Sequence, residues 1–280
     1  MRGIFLPTLL LVCALSLPFG AAHAAKPDTF GDIPPPPSAE QLKSIKRQAK
    51  VTEDGVVPMP MEIRKDAMRE AALSYGARGG LAWRTYHIRQ EMETRARYLD
   101  QVFDFRQLLI AAPSGMMIEP PIISESLDAM AIEQGGQNAA VADRVLNIGR
   151  NARIVSTART WRAYLERQWG EVSPPPELLL PSTGEEQVQW DMWFDEGWKA
   201  GVEQADEIFQ ADLNKLTADY QGMVRYRTLL SQGMVSPPLA LQVDRGVTGG
   251  GSEMRIGDRG LSITGSSLQA ETQEWSPANR

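Results

Sequence analysis

The chain has 280 residues, 42% of them hydrophobic, and its 29 basic and 35 acidic side chains leave a net charge of −6. A mildly acidic chain is poorly suited to sequence-independent binding of nucleic acid, which depends on clustered lysine and arginine facing phosphate. We therefore expect no direct contact with nucleic acid and, from the length and apolar content, one or two domains with a filled core.

The first 24 residues have the features of a secretory signal peptide. Arg2 precedes an apolar run at residues 4–19, and small residues end the segment, where we predict cleavage between Ala24 and Ala25. The apolar run is shorter than the ~20 residues of a membrane-spanning helix. These features predict an exported, periplasmic chain that starts near Ala25.

A proline-rich arm is predicted at residues 25–60, which contain "DIPPPPSAEQ" and "GVVPMPME". Proline removes a backbone donor and disfavours the helical region for the residue before it. The arm is therefore expected to be extended, with one short helix around residues 38–50.

A helical domain is predicted at residues 61–235. From residue 61 the apolar residues recur close to every 3.6 positions, and Gly79 with Gly80 indicates a break between two helices. The segment "APSGMMIEPPII" is interpreted as a connector. Beyond it, helical spacing resumes at the apolar residues Val141, Val145, Ile148 and Ala152.

The longest helix is predicted from about Glu186 to Gln232. Ser182 or Thr183 is a suitable N-terminal cap, and Gly233 is a suitable stop because glycine accepts the left-handed conformation. Spacings of three and four place one apolar stripe along the helix. The stripe consists of Trp190, Phe194, Trp198, Val202, Ala205, Phe209, Leu213, Leu216, Tyr220 and Val224.

The two tryptophans of this stripe, Trp190 and Trp198, are interpreted as core or subunit contacts. A buried aromatic side chain of this size covers ~150 to 250 Å², which makes aromatics dominant in cores and interfaces. Stacking on a ligand is the less favoured alternative.

The hydrophobic period changes to two at residues 236–265, which predicts C-terminal β-strands. "GDRG" is expected to form the hairpin turn between strands at 254–256 and 261–263. The preceding "GVTGGGSEMR" lacks the lysine of a phosphate-binding loop, so it is interpreted as a strand connection. A flexible tail is expected at residues 266–280. The predicted fold is mainly α (α+β), with long amphipathic helices and a small C-terminal antiparallel β-hairpin.

Residues with catalytic potential are few. His87 and Glu91 share a helical face but supply only two metal ligands. Glu203, Asp206 and Glu207 carry carboxylates suited to acid-base hydrolysis, for example of peptidoglycan, although a solvated helix face explains them as well. We predict no catalytic residues, cofactor or metal, with a periplasmic hydrolase or a periplasmic binding module as alternatives.

Five segments in one order, within residues 63–275, resemble the DotC family, which includes the TraI-like proteins of IncI-type conjugative plasmids. They are "ALSYGARGGLAWR" (72–84), "LDQVFDFRQLL" (99–109), "ARIVSTARTWRAYL" (152–165), "GWKAGVEQADEIF" (197–209) and "LLSQGMVSPPLALQVDRGVTGGGSEMRIGDRGLSIT" (229–264). The resemblance implies a non-enzymatic subunit of the outer-membrane core complex of a type IVB secretion or conjugation system. It also implies DotD-like and DotH-like partners, placement of the DotH-like protein at the outer membrane, and no small-molecule substrate.

Cys13 is the single cysteine and lies inside the predicted signal, so the mature chain is expected to lack disulfides and cysteine-bound metal. Members of the DotC family are typically lipoproteins acylated on a cysteine that follows a small residue. Val12 occupies that position here. Lipidation of Cys13 is therefore the less favoured alternative to cleavage after Ala24, and association with the outer membrane is expected to depend on partner subunits.

The predicted C-terminal strands are the favoured docking element. An exposed strand edge can pair with a strand of a neighbouring subunit. On this hypothesis Ile256 and Ile263 lie in strands that contact a partner, and proline at either position blocks assembly.

Overall fold

A computed structural model describes residues 34–46, 61–112, 115–133, 138–271, 273 and 275. Contacts divide the chain into residues 1–35 and 36–280, and the helices and strands of the described residues all lie in the second unit. The predicted signal peptide, with Cys13, and the predicted cleavage site between Ala24 and Ala25 lie outside the described residues.

Five helices and seven strands occur among these residues. In chain order they are α1 (Ala39–Lys43), α2 (Met61–Thr94), α3 (Ala96–Val102), β1 (Ile110–Ala111), β2 (Met117–Glu119), β3 (Ile122–Glu133), β4 (Asn138–Arg150), β5 (Arg153–Val155), α4 (Arg162–Leu165), α5 (Gly184–Ser231), β6 (Leu239–Gly250) and β7 (Glu253–Gly265). Short 3-10 turns lie at Phe105–Leu108 and Glu177–Leu179. The long helices and the C-terminal β6–β7 hairpin confirm the predicted fold class.

The two long helices, α2 and α5, pack side by side and run in the same direction. Arg64 of α2 binds Glu186 near the start of α5, and Arg84 binds Asp206 further along both helices. With α1, α3 and α4 packed on them, these helices form what we call the helical body.

The predicted helix break at Gly79 and Gly80 is wrong, because α2 is continuous through both residues. A Cβ atom at Gly80 would lie 2.2 Å from the carbonyl oxygen of Trp198, and one at Gly79 would lie 2.5 Å from Leu42. The glycines therefore allow α5 and α1 to approach α2 closely, and packing outweighs their low helix propensity.

Both predicted ends of α5 are confirmed within two residues. The Thr183 hydroxyl accepts a hydrogen bond from the N–H of Glu186 at 3.2 Å. At the other end Gly233 has φ of 68°, and the N–H of Met234 donates to the carbonyl of Leu229 at 2.9 Å. This pattern is a Schellman cap, which explains why the helix stops there.

The helix predicted around Val141 to Ala152 is wrong, since β3 and β4 form a long antiparallel hairpin that we call the central hairpin. Val141, Val145 and Ile148 satisfy a helical spacing, but β-branched residues also favour strands. The pattern that indicates a strand lies in the partner strand β3, where Ser124 and Ser126 alternate with larger side chains as in a half-exposed strand. The predicted helical domain therefore contains strands β1 to β5.

A small antiparallel sheet has the order β1-β2-β5. In sequence β1 and β2 precede the central hairpin and β5 follows it, and β3 continues the chain after β2 and two prolines. Ile118 and Ile123 are buried, so this region closes the core at the end of α5.

Strands β6 and β7 form the C-terminal hairpin. Its turn is at residues 251–252, within the glycine-rich segment, which confirms the interpretation of that segment as a strand connection. The turn predicted at "GDRG" is wrong: Gly257 lies inside β7 with φ of 71°, at a break in the pairing register. Glycine is needed there because the chain bulges, and not because it reverses.

The arm and the tail are partly packed against the rest. Leu42 of α1 is buried, and the Ser38 hydroxyl and Gln41 form a capping box at the start of this helix. The tail, predicted to be flexible from residue 266, has Ser267 buried and Gln269 bridged to Val235. The N–H of Ser236 donates to the carbonyl of Leu268, and the N–H of Leu268 donates to the Ser236 hydroxyl. With a further bond from the N–H of Ala270 to the carbonyl of Met234, these contacts hold residues 266–270 in place.

Candidate functional site

The two tryptophans predicted as core or subunit contacts differ in how far they are buried. Trp190 is fully buried, so it belongs to the core and offers no surface to a partner. Trp198 is half-buried, with its ring centroid 5.8 Å from Trp83 and 5.9 Å from Phe194. Its backbone faces Gly80, so Trp198 mainly holds the two long helices together.

The carboxylates considered for hydrolysis lie on the exposed face of α5. Asp206 accepts a hydrogen bond from Arg84 Nε at 2.8 Å, and Glu203 lies 3.8 Å from the ammonium group of Lys199. Glu207 is exposed on the same face. This arrangement is that of a solvated helix surface with ion pairs.

The C-terminal hairpin exposes apolar side chains along most of its length. Leu239, Leu241 and Val243 alternate on one face of β6 and are 63%, 53% and 47% exposed. Their partners across the hairpin are Gly265, Ser262 and Gly260, which are too small to cover them. The face is therefore a row of projecting apolar side chains.

Two irregularities divide the hairpin into an inner and an outer half. The register shifts on β6 around Gly246 and on β7 around Gly257. Beyond them Val247 and Ile256 stand opposite each other and are 63% and 80% exposed. Bulges bend and twist a strand pair, so they aim the outer half differently from the inner half.

Ile256 and Ile263, the predicted contact positions, occupy different environments. Ile256 lies in the outer half and is exposed, whereas Ile263 pairs with Ala240 near the base and is half-buried. In the described part of the chain β6 and β7 pair only with each other, so each has an outer edge with unpaired backbone groups. Such edges are templates for adding a strand.

The central hairpin has a similar outer end, which the sequence pattern does not predict. Its base is packed on α5, where Arg225 donates to the carbonyl of Ile123 at 2.7 Å. Further out, Leu127, Met130 and Val141 are 68%, 63% and 69% exposed. Met130 and Val141 face each other across the strands.

A buried ion cluster joins β2, β5, α4 and α5. Glu119, with a side chain 3% exposed, accepts hydrogen bonds from Arg153 at 3.0 and 3.2 Å. It also accepts two from Arg159, one of them at 2.9 Å. Asp219 on α5 accepts from Arg159 at 3.2 Å and from Arg150 at 3.3 Å.

Tyr164 completes this cluster. Its hydroxyl accepts a hydrogen bond from Arg159 and donates to Asp219 at 2.7 Å. Burial, together with this donation to a carboxylate, raises the pKa of Tyr164 to about 12. Burial alone would lower the pKa of Arg159, but its bonds to Tyr164 and Glu119 raise it overall, so the guanidinium stays charged.

The described residues hold neither a membrane-spanning helix nor a metal-binding group. No helix of that part of the chain is long and apolar enough to cross a membrane. Within the same residues, no three or more histidine, cysteine, aspartate or glutamate side chains are grouped to hold a metal ion.

Residues 62–277 match the TraI family of type IV secretory systems, which is described as acting in conjugal DNA-protein transfer. The match covers more than half of the 280 residues. The chain belongs to this family. No curated protein matches the sequence.

Membership of the TraI family identifies a component of a type IV secretion or conjugation system and suggests a structural role. The matched range includes both long helices, the buried ion cluster and both hairpins. The match confirms the expected resemblance as far as a conjugation-related protein of a type IV secretion system.

Proposed function

We propose that this TraI family member is a structural subunit of the outer-membrane core complex of a type IVB system of the DotC type, and that it helps to place a DotH-like protein at the outer membrane. The observation that supports this proposal best is the C-terminal hairpin. Its side chains Val247 and Ile256 are 63% and 80% exposed and contribute little to the core of the chain. Exposed apolar rows of this kind mark protein contact surfaces.

The proposed role is non-enzymatic. Glu203 and Asp206 are exposed and paired with cations on the outer face of α5, as structural surface carboxylates are. A general acid is instead expected to be held in a cleft that shifts its pKa toward the working pH.

The proposed location is the periplasm, in association with the outer membrane. It rests on the signal-like segment that ends at Ala24 and on the typical location of DotC proteins. We propose cleavage before Ala25 and attachment through DotD-like and DotH-like partners, with acylation of Cys13 as the less favoured route. Palmitate labelling of the wild type and of Cys13→Ala tests this, because label that depends on Cys13 contradicts the proposal.

The proposed docking mode is edge pairing of the C-terminal hairpin with a strand of a neighbouring subunit. The free backbone edges supply hydrogen bonds, and the alternate apolar side chains supply contacts to pockets of the partner. Because the bulges lie between the two halves, the outer half with Val247 and Ile256 is the part best placed to leave the body and reach a partner.

Deletion and complementation test the proposed role. Deleting the gene is expected to abolish conjugal transfer or secretion, and the tagged chain is expected to co-purify with DotH-like and DotD-like subunits. Fractionation is expected to show the DotH-like protein lost from the outer membrane in the deletion strain. Normal transfer without the gene contradicts the proposal.

Proline substitutions test the docking mode. Ile256→Pro and Ile263→Pro each remove a backbone donor and obstruct pairing on a strand. Both are expected to stop co-purification with partner subunits while the helical circular dichroism signal is retained. Undiminished co-purification of Ile256→Pro, which lies in the outer half, is incompatible with edge pairing there.

A further inference from the structure

A charged cavity of about 540 Å³ lies where the end of β4, α4 and α5 meet. Its lining includes five cationic side chains and three carboxylates, in a chain whose net charge is −6. The cations are Arg150, Arg153, Arg159, Arg167 and Lys215, and the carboxylates are those of Glu166, Asp212 and Asp219. The local charge is therefore opposite in sign to that of the whole chain.

The arginines of the inner wall are held in place by acids behind them. Arg153 uses Nε and Nη2 on Glu119, which leaves its Nη1 without a partner among the described residues. Arg150 uses only Nη1, on Asp219, within the same part of the chain. Fixed guanidinium groups with spare donors are suited to bind oxyanions, because little side-chain entropy is lost on binding.

The outer wall adds two further cations. Arg167 donates from Nε and Nη2 to Asp212, the latter bond at 2.9 Å, so its Nη1 is unused by the residues that the structure describes. Lys215 lies on α5 between Asp212 and Asp219 and is exposed. It makes no ion pair within the described ranges.

We propose that this cavity binds an acidic peptide segment of a partner subunit. That the peptide comes from a partner subunit rests on the proposed function, whereas its acidic character is inferred from the cavity alone. The spare donors of the inner and outer walls match carboxylate oxygens, which charge-assisted hydrogen bonds recognise well. The inner wall, with Arg150 and Arg153, binds the first carboxylate, and Lys215 binds the next.

The mixed charge of the cavity favours a peptide over a free anion. An inorganic anion needs donors only, whereas an extended peptide also carries backbone N–H groups. Asp212 and Glu166 keep acceptor sites beyond those used by their arginine partners, because an ionised carboxylate has about four lone-pair sites. The cavity volume is also within the range of pockets that bury drug-sized ligands, about 300 to 1,000 Å³.

Calorimetry with hexaglutamate and the full chain tests this inference. Lys215→Gln removes an exposed cation of the cavity and is expected to weaken binding roughly five- to tenfold, the loss of one charge-assisted contact. Lys199→Gln is the matched control, since Lys199 is also exposed on α5 but pairs with Glu203 outside the cavity. The control is expected to bind hexaglutamate as the wild type does.

Three results overturn the inference: no heat of binding with hexaglutamate, an equal loss in Lys199→Gln and Lys215→Gln, or displacement of the peptide by an equal concentration of inorganic phosphate. The last would identify a site for a small oxyanion. The calorimetry uses the isolated chain, so an absence of hexaglutamate binding overturns this inference and leaves the proposed structural role to the gene deletion. Normal transfer in the deletion strain overturns the proposed structural role and leaves the binding result as measured.

Discussion

The helical body and the two hairpins differ in where their apolar side chains lie. In the body Trp190 and Phe194 are fully buried, whereas Leu127 of the central hairpin is 68% exposed and Ile256 of the C-terminal hairpin is 80% exposed. Burial of apolar surface is the main favourable contribution to folding. The body therefore accounts for most of the stability, and the outer hairpins contribute surface for contacts with other molecules.

The same contrast holds for ion pairs. Glu119 of β2, in the buried ion cluster, joins arginines from two later segments and is 3% exposed. Glu253 of the C-terminal hairpin instead pairs with Arg255 two residues away and is 67% exposed. A buried pair depends on the fold around it and is costly to break, while an exposed pair contributes little. Substitutions of charged residues are thus expected to have larger effects in the buried ion cluster than in the C-terminal hairpin.

The largest effect is expected for Glu119→Gln. Removing this carboxylate leaves Arg159, which is nearly buried, without its main counter-charge. We expect the free energy of unfolding to fall by about 3 to 5 kcal/mol, the usual cost of breaking a buried pair. Urea denaturation followed by tryptophan fluorescence measures this loss.

Glu253→Gln in the C-terminal hairpin is the control for that measurement. Both changes remove one negative charge and keep the shape of the side chain, but Glu253 is exposed. Its unfolding curve is expected to overlay that of the wild type. Equal losses of stability in the two variants would remove the distinction drawn between the buried ion cluster and the C-terminal hairpin.

A smaller loss is expected where the long helices touch. A Cβ atom at Gly201 would lie 2.1 Å from the carbonyl oxygen of Ala77, so Gly201→Ala forces α2 and α5 apart. We expect a loss of about 1 to 3 kcal/mol, as for other overpacked sites. Thermal unfolding followed by circular dichroism at the helix band measures it.

Gly184→Ala at the start of α5 is the matched control, because a Cβ atom there meets nothing within 4 Å. Alanine has the higher helix propensity, so this variant is expected to unfold at the same temperature as the wild type or slightly above it. Equal destabilisation of Gly184→Ala and Gly201→Ala would show that the loss at Gly201 does not come from close packing of the two helices.

The longest helix, α5, is well predicted because local signals specify it. Thr183 and Gly233 mark the ends of α5, and the apolar stripe between them has one period. The ion cluster has no such signal: Glu119 and Asp219 lie 40 and 60 residues from Arg159, and only the tertiary fold brings them together. Spacing arguments detect residues on one element, so they do not find this cluster.

The strands show how one pattern supports two structures. Val141, Val145 and Ile148 occur at spacings of four and three, which predicts a helix, yet they lie in β4. Pairing with β3 decides between the two, and pairing is a property of two segments. In β7 the glycines of "GDRG" predict a turn, whereas the adjacent glycine-rich segment supplies the turn at residues 251–252.

A still smaller contribution to the free energy of unfolding, which depends on pH, is expected from the Arg64–Glu186 pair between the long helices. The hydrogen bond from Arg64, reinforced by Ser182, lowers the pKa of Glu186 from 4.5 to about 2. Because the folded-state pKa is depressed, this stabilisation is present above about pH 4.5 and is lost as the pH falls toward 2. Allowing for solvent screening, it amounts to on the order of 1 kcal/mol.

Glu186→Gln removes that pH-dependent contribution. The wild type is expected to be more stable than the variant at pH 7, and the difference is expected to shrink as the pH falls from 4.5 toward 2. Urea titrations at several pH values measure this difference. Glu185→Gln, one residue earlier and exposed, serves as the control, and a gap of the same size and pH dependence there would contradict the assignment to Arg64.

The smallest effect on stability is expected for Ile256→Thr in the C-terminal hairpin. Ile256 is 80% exposed, and threonine keeps the branched shape that suits a strand, so the melting temperature is expected to stay within about one degree of the wild type. Ile63→Thr on α2 makes the same change at a residue 57% exposed and belongs to the body. If the hairpin is a contact surface, only Ile256→Thr reduces co-purification with partner subunits. Equal co-purification of both variants would mean that exposure alone does not distinguish the hairpin from the helical surface.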